Sequence, residues 1–311
     1  MLARSFNGKL GSLALRDDRG EIVAAWHFGL EPHTDRIIDT GPLGLHGATV
    51  NMPMRAVTGA GWTGHVLNCA EAPDEYDAIY FHDDDLEDAG WQPSFDWRIP
   101  DNMPSGIYAA ALETSDAKDW VPFFVCPPRG QARNAVVFLA PVLSYLAYVN
   151  EHYMADPVRQ TEAYSIERAL ARATPYEREI VHAVLENRLH SLYDSHSDGS
   201  GVCYSSARRP LLTMRPGYNK ASLWFDAPHQ LNEDLCLTDW MEQQRQGYDV
   251  LTDQILHHDG VAALAPYRVL MTGSHPEYWS EPMLDAVEAF LANGGRLMYL
   301  GGNELYWVTT I

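Results

Sequence analysis

Positive charge is scarce in this chain: 22 lysines and arginines stand against 42 aspartates and glutamates, a formal net charge of −20 over 311 residues. That balance argues against a nucleic-acid partner, whose phosphates need a concentrated positive surface, and against docking on anionic lipid. No apolar run is long enough to span a bilayer. The opening MLARSFNGKLGSL lacks the apolar core of a secretory signal, so the cytoplasm is the expected compartment. Cysteine is limited to Cys69, Cys126, Cys203 and Cys236, far apart and without a CxxC pair. This signals neither a zinc ribbon nor a disulfide framework, and buried, reduced thiols are expected. GxSxG and Walker motifs are also missing, which leaves a serine elbow and a P-loop nucleotide site without support.

What is present reads as a globular α/β protein. Hydrophobic residues are 46 % and charged residues 21 %, ordinary values, and at roughly 150 residues per domain the length predicts two domains. Residues 1–115 read as β. LGSLALRD, GEIVAAWHFG, YDAIYFHDDDL, SFDWRIP and GIYAAALE are short, partly alternating segments separated by Gly, Pro, Asp and Asn, the pattern of a β-sandwich. Residues 116–311 change rhythm. VPFFV, AVVFLAP, YDVLT, YRVLMTG and RLMYLGG are dense apolar runs, as in strands covered on both faces. They alternate with the helical patterns YSIERALARA, REIVHAVLENRLHSLYD, LNEDLCLTDWMEQQRQ and EPMLDAVEAFLANGG, which predicts a mainly parallel sheet with helices on both faces. The helix over Glu281–Asn293 is well marked, with Ser280 to cap it and Gly294–Gly295 to stop it.

In such a sheet, ligands sit outside the carboxyl ends of the strands. Three loops fall there: APVLSYLAYVNEHY, SHPEYWS and GGNELYW. A fourth, YDSHSDGSGVCYSSARRP, is rich in Gly, Ser and Asp. Together they supply Tyr145, Tyr148, Tyr193, Tyr204, His196, Asp198, His275, Glu277, Tyr278 and Asn303. Phenolate with carboxylate is a hard, anionic set that suits trivalent iron. A phenol of pKa ~10 becomes a ligand only when the metal displaces its proton. Glu277 is the sharpest candidate, because a carboxylate between Pro276 and two aromatics is poorly solvated and needs a partner. The acidic run Asp83–Asp85 is read as a solvated turn. Cys203, in GSGVCYSS, resembles a nucleophile elbow only superficially, since SSARRP does not begin a helix.

SFNGKL, SFDWRIPDNMPSGIYAAAL, APVLSYLAYVNE, HSDGSGVCYSSARRPLLTMRPGY, GYDVLTD, TGSHPEYWS and GGRLMYLGGNELYWVTT together resemble the large, or beta, subunit of N,N-dimethylformamidase, in order and over nearly the whole chain. The resemblance implies an internal piece of that subunit. It implies a concanavalin- or laminin-G-like β region with Ig-like strands, then a class I glutamine-amidotransferase-like three-layer α/β domain, truncated at its C-terminus and lacking the amidotransferase nucleophile. It implies a mononuclear ferric ion held by two tyrosines and a glutamate. The glutamate maps onto Glu277, the neighbouring histidine onto His275 and an asparagine onto Asn303. Tyr148 and Tyr204 are the favoured tyrosines, with Tyr145 and Tyr193 in reserve. The implied reaction is hydrolysis of the C–N bond of a formamide such as N,N-dimethylformamide to formate and an amine. A small amide is the implied substrate, and Tyr278 and Trp279 are candidate pocket walls. A separate small subunit is the implied partner in a heteromeric assembly, and a second glutamate is expected beyond Ile311.

Three readings stay open on the residues: an iron amidohydrolase, a non-catalytic binding chain of the same family, and a thiol amidase built on Cys203.

Overall fold

A computed structural model describes residues 6–152, 165–220, 226–303 and 305–311. The chain is mixed α/β and divides into two units: 1–92 with 194–210, and 93–193 with 211–311. No helix among the described residues is long and apolar enough to cross a membrane.

The first unit is built from short antiparallel strands: β1 (Gly8–Gly11), β2 (Leu13–Arg16), β3 (Ile22–His27), β4 (Arg36–Asp39), β5 (Gly47–Ala48), β6 (Met54–Val57) and β7 (Ala78–Phe81). They form two sheets, ordered β1-β7-β6 and β2-β3-β4-β5. LGSLALRD is therefore two strands, split at Ser12 and sent to different sheets. Phe28, Ile37 and Ile79 are buried together with Leu10, Trp26 and Phe81 against them, so side chains of both sheets share one apolar cluster. Arg55 is buried beside it. The two NH2 groups of its guanidinium donate to the carbonyl oxygens of Thr34, Arg36, Phe28 and Leu30 at 2.8 to 3.5 Å, which offsets much of the cost of burying the charge, while Nε has no partner among the described residues. SFDWRIP forms no strand: residues 94–100 lie exposed and outside any ladder.

The second unit opens with a hairpin, β8 (Gly106–Glu113) and β9 (Lys118–Val125), paired antiparallel along its whole length. VPFFV thus belongs to β9 and not to the parallel sheet. The hairpin stays with the α/β unit because Ser105 Oγ donates to Val125 O at 2.9 Å and accepts the Val250 N–H at 2.7 Å. The division consequently falls after residue 92, earlier than the expected 115, while 194–210 returns to the first unit.

The main sheet holds β10 (Val136–Ala140), β11 (Asp249–Thr252), β12 (Val269–Thr272) and β13 (Arg296–Met298), in the order β11-β10-β12-β13 and all parallel. Around it run α1 (Val142–Tyr148), α2 (Ile166–Arg172), α3 (Pro175–Glu186), α4 (Leu231–Gln243), α5 (Asp253–Asp259), α6 (Val261–Leu264) and α7 (Glu281–Ala292). Side chains alternate across a strand, and β10 uses both faces. Phe138 and Ala140 pack with Val142, Tyr145 and Leu146 of α1 and with Leu231 and Met241 of α4. Val137 and Leu139 pack with Leu256 of α5 and with Met283, Ala286, Val287 and Phe290 of α7.

Two expected details change. Ser280 stands at the N-cap of α7, but its hydroxyl meets His257 Nδ1 at 2.7 Å and makes no capping bond. The helix expected over REIVHAVLENRLHSLYD stops at Glu186, where Arg188 takes a left-handed backbone (φ 52°).

Candidate active site

The chain leaves β10 onto α1, on one face of the sheet, and leaves the adjacent β12 towards α7, on the other. Diverging connections from neighbouring parallel strands open a crevice at their carboxyl ends. The APVLSYLAY segment lining it is helical as α1, not a loop. Ser144 and Tyr148 are four residues apart and so share a helix face. Both reach residue 277. Ser144 Oγ accepts the backbone N–H of Glu277 at 3.0 Å and that of Tyr278 at 3.3 Å. The Tyr148 hydroxyl donates to Glu277 Oε1 at 2.7 Å.

Glu277 is 2 % exposed. Its other oxygen, Oε2, accepts the Tyr193 hydroxyl at 3.1 Å, and Asn303 Nδ2 lies 3.5 Å from Oε1. Tyr193 arrives because α3 has ended and the turn after it is pinned: Leu192 N–H donates to the Ala147 carbonyl at 2.9 Å. The Tyr148 and Tyr193 rings stack at 4.3 Å, and the Tyr278 hydroxyl donates to that of Tyr193 at 3.1 Å. Burial, reinforced by Glu277, holds the Tyr148 phenol above its ordinary pKa. Burial and its phenol neighbours raise that of Tyr193. Without a cation both remain neutral donors.

Around this core, His275 Nδ1 accepts the Asn303 backbone N–H at 3.4 Å. His229 stands edge-on to Tyr148 at 5.0 Å, with its ring 5.3 Å from His275. Burial, helped by His275, lowers the His229 pKa to about 4, so the ring is neutral at neutral pH. His229, Glu233 and His275 offer ligand atoms within 4.8 Å of one another. A cleft lined by Tyr148, Tyr218, His229, Gln230 and Asn232 adjoins this rim. In it the Gln230 amide and the Tyr218 hydroxyl are buried with no partner among the described residues.

Two buried carboxylates hold the loops in place. Asp234 accepts the Tyr145 hydroxyl at 2.5 Å and the Ser274 N–H at 2.7 Å, which fixes the turn after β12. Asp253 accepts the Leu143 N–H at 2.7 Å and so fixes the start of α1. Burial pushes their pKa values up to about 6 and about 7. The unfolded value for Asp253 is 3.8, so between ~pH 4 and ~pH 7 the folded state binds the extra proton and stability falls as pH rises. Asp253→Asn keeps an acceptor oxygen and removes the charge. Its urea midpoint is expected to fall less than the parent's between about pH 5 and pH 8; equal slopes would contradict this.

The other expected site residues are placed as follows. Tyr145 is spent on Asp234. Trp279 is core, buried in the apolar cluster with Leu139 and Leu270. Tyr204 belongs to the first unit, where its hydroxyl accepts the Arg55 N–H at 3.2 Å. Cys203 and Cys236 are exposed, against the expectation of buried thiols. Shielding of the sulfur and the nearby Asp85 raise the Cys203 pKa, the wrong direction for a nucleophile. Nothing in the sequence pointed to Asp234, Asp253 or His229, whose significance is a matter of tertiary position.

The family described as N,N-dimethylformamidase beta subunit-like, C-terminal, matches residues 54–311. The chain belongs to the N,N-dimethylformamidase beta-subunit family. It is 40 % identical to the N,N-dimethylformamidase beta subunit of Paracoccus aminophilus over 299 residues, covering 93 % of this chain and 38 % of that protein. It is 39 % identical to the beta subunit from an Alcaligenes species over 309 residues, covering 94 % of this chain and 39 % of that protein. The chain thus spans about two fifths of the length of the curated relatives it matches.

Proposed function

We propose that this member of the dimethylformamidase family carries the metal centre of an amidohydrolase, with a mononuclear ferric ion held by Tyr148, Tyr193 and Glu277. The observation that supports this most is the buried Glu277 carboxylate, met on its two oxygens by two phenols at 2.7 and 3.1 Å. Oxygens bound to one ion at ~2.1 Å stand about 3 Å apart, so the set fits a single cation with little movement. Tyr193 replaces Tyr204 in this assignment. The fold reading that goes with it is an amidotransferase-like α/β unit preceded by a β-sandwich, and the shared cluster of the two antiparallel sheets is compatible with the latter.

The substrate class is an N-substituted formamide such as N,N-dimethylformamide, cleaved with one water to formate and an amine. When bound, ferric iron supplies Lewis acidity, which polarises an amide carbonyl and lowers the pKa of a water. The chain's own groups do the rest. Ser144 fixes the backbone at Glu277, so the carboxylate cannot swing away. Asn303 presents an amide N–H towards the same rim and is placed to donate to the substrate carbonyl oxygen. His275, with its Nδ1 engaged by Asn303, orients that loop and is placed to hold a water. The Gln230 amide and Tyr218 hydroxyl, without a partner among the described residues, give the adjoining cleft polar groups able to recognise an amide. A small subunit completes the enzyme, in keeping with the beta-subunit names of the relatives.

The test is an amidase assay on the chain co-produced with its small subunit, with dimethylamine released from N,N-dimethylformamide as the readout. Turnover is expected to need added iron and to fall ~100-fold or more in Tyr193→Phe. Iron-loaded protein that releases no amine from any N-substituted formamide would favour a binding chain instead.

A further inference from the structure

We propose a second cation site, within the first unit, where His82, Asp85 and His196 hold one divalent transition-metal ion of the zinc class. It shares no residue with the proposed amide site and stands independently of it. The ligand atoms of the three side chains lie within 4.8 Å of one another. Of the aspartate run expected to be solvated, Asp83 is exposed but Asp84 is folded in: the Asp84 side chain is 1 % exposed, that of His82 0 % and that of His196 6 %.

The hydrogen bonds orient each imidazole as a ligand. His196 Nδ1 is 2.7 Å from Asp84 Oδ1, while its Nε2 faces Asp85 Oδ1 at 3.9 Å. His82 Nε2 is 2.9 Å from Ser200 Oγ, while its Nδ1 faces Asp85 Oδ1 at 3.3 Å. The Ser200 hydroxyl donates to Asp198 Oδ1 at 2.6 Å, so its oxygen accepts the His82 Nε2–H and the lone pair is left on Nδ1. Asp84, an acceptor only, takes the His196 Nδ1–H and leaves the lone pair on Nε2. Two ring nitrogens with lone pairs and a carboxylate oxygen then lie close together, the donor set of a divalent cation.

The supports are themselves held. The His82 N–H donates to Asp85 Oδ2 at 2.9 Å, and the Ser197 N–H to Asp84 Oδ2 at 3.2 Å. The Tyr80 hydroxyl donates to Asp198 Oδ2 at 2.6 Å. A carboxylate or hydroxyl behind each ligating imidazole is the usual support of a metal-bound histidine. The two rings stack at 3.7 Å and 3°. Parallel rings hold their lone pairs in parallel planes, so binding one ion between them requires one imidazole to turn out of the stack. An N2O set with room for water suits zinc, with manganese or ferrous iron as neighbours in the same class. The ion would clip the loop after β7 to the segment 194–210, so its role is structural.

The experiment uses the whole chain, stripped of metal and titrated with Zn2+ by calorimetry in the Glu277→Ala background, which silences the other centre. One Zn2+ per chain is expected, lost in His82→Gln and in His196→Gln. X-ray absorption at the zinc edge should show two imidazole nitrogens. Asp84→Asn and Ser200→Ala leave all three ligands in place and are expected to weaken binding ~10–100-fold. These two variants decide the matter if the histidine variants fail to fold. No zinc bound in the Glu277→Ala chain, or unchanged affinity in both supporting variants, would overturn the site.

Discussion

Glu277→Gln is expected to strip the protein of iron and to lower amide turnover ~1000-fold or more, with the fold intact. Glutamine matches the shape, and the backbone bond from residue 277 to Ser144 is untouched. What disappears is the charge. A neutral amide offers one oxygen instead of two, and its NH2 end confronts one of the two phenols that now donate to the carboxylate. Both phenols are held protonated by burial, so a cation must bring enough positive potential to displace their protons. Without the carboxylate that potential is no longer concentrated at their oxygens. Iron analysis and turnover on the same preparation check this, and parent levels of iron in the glutamine variant would refute it.

Gly273→Ala is expected to lower stability by ~2–4 kcal/mol and to weaken iron retention in proportion. A Cβ at Gly273 would lie 2.3 and 2.5 Å from the Asp234 carboxylate oxygens and 2.6 Å from its Cγ. Asp234 cannot step aside freely, because it is buried and bonded to Tyr145 and to the Ser274 N–H. Moving it releases the turn that leads to His275 and Glu277. The urea midpoint reports the packing cost, and iron content after dialysis reports the displaced loop. A variant with parent stability would show that Asp234 is looser than its bonds imply.

The parallel strands were legible because a strand covered on both faces must be largely apolar, as AVVFLA, YDVLT and YRVLM are at their centres. Helices α4 and α7 were legible from periodicity and end signals. Glu277 stood out because a carboxylate in HPEYW has little water within reach. Tyr193 was legible only as a reserve. Its arrival at Glu277 depends on α3 ending at Glu186 and on one backbone bond from Leu192 to Ala147, neither of which has a local signature. The β8–β9 hairpin was misplaced for a related reason. Its apolar content resembles a sheet-interior strand, and only the Ser105 contacts show which unit keeps it. The acidic run Asp83–Asp85 reads as a surface turn because the histidine partner of Asp84 lies more than a hundred residues away in sequence.

The assignment of the ferric ion to two phenols and one carboxylate is tested most directly by the visible absorption of the iron-loaded protein. Phenolate bound to ferric iron gives a charge-transfer band. That band is expected in the parent chain, diminished and shifted in Tyr148→Phe and in Tyr193→Phe, and unchanged in Tyr204→Phe. A band that survives both of the first two substitutions, or one that vanishes with Tyr204 alone, would contradict the account.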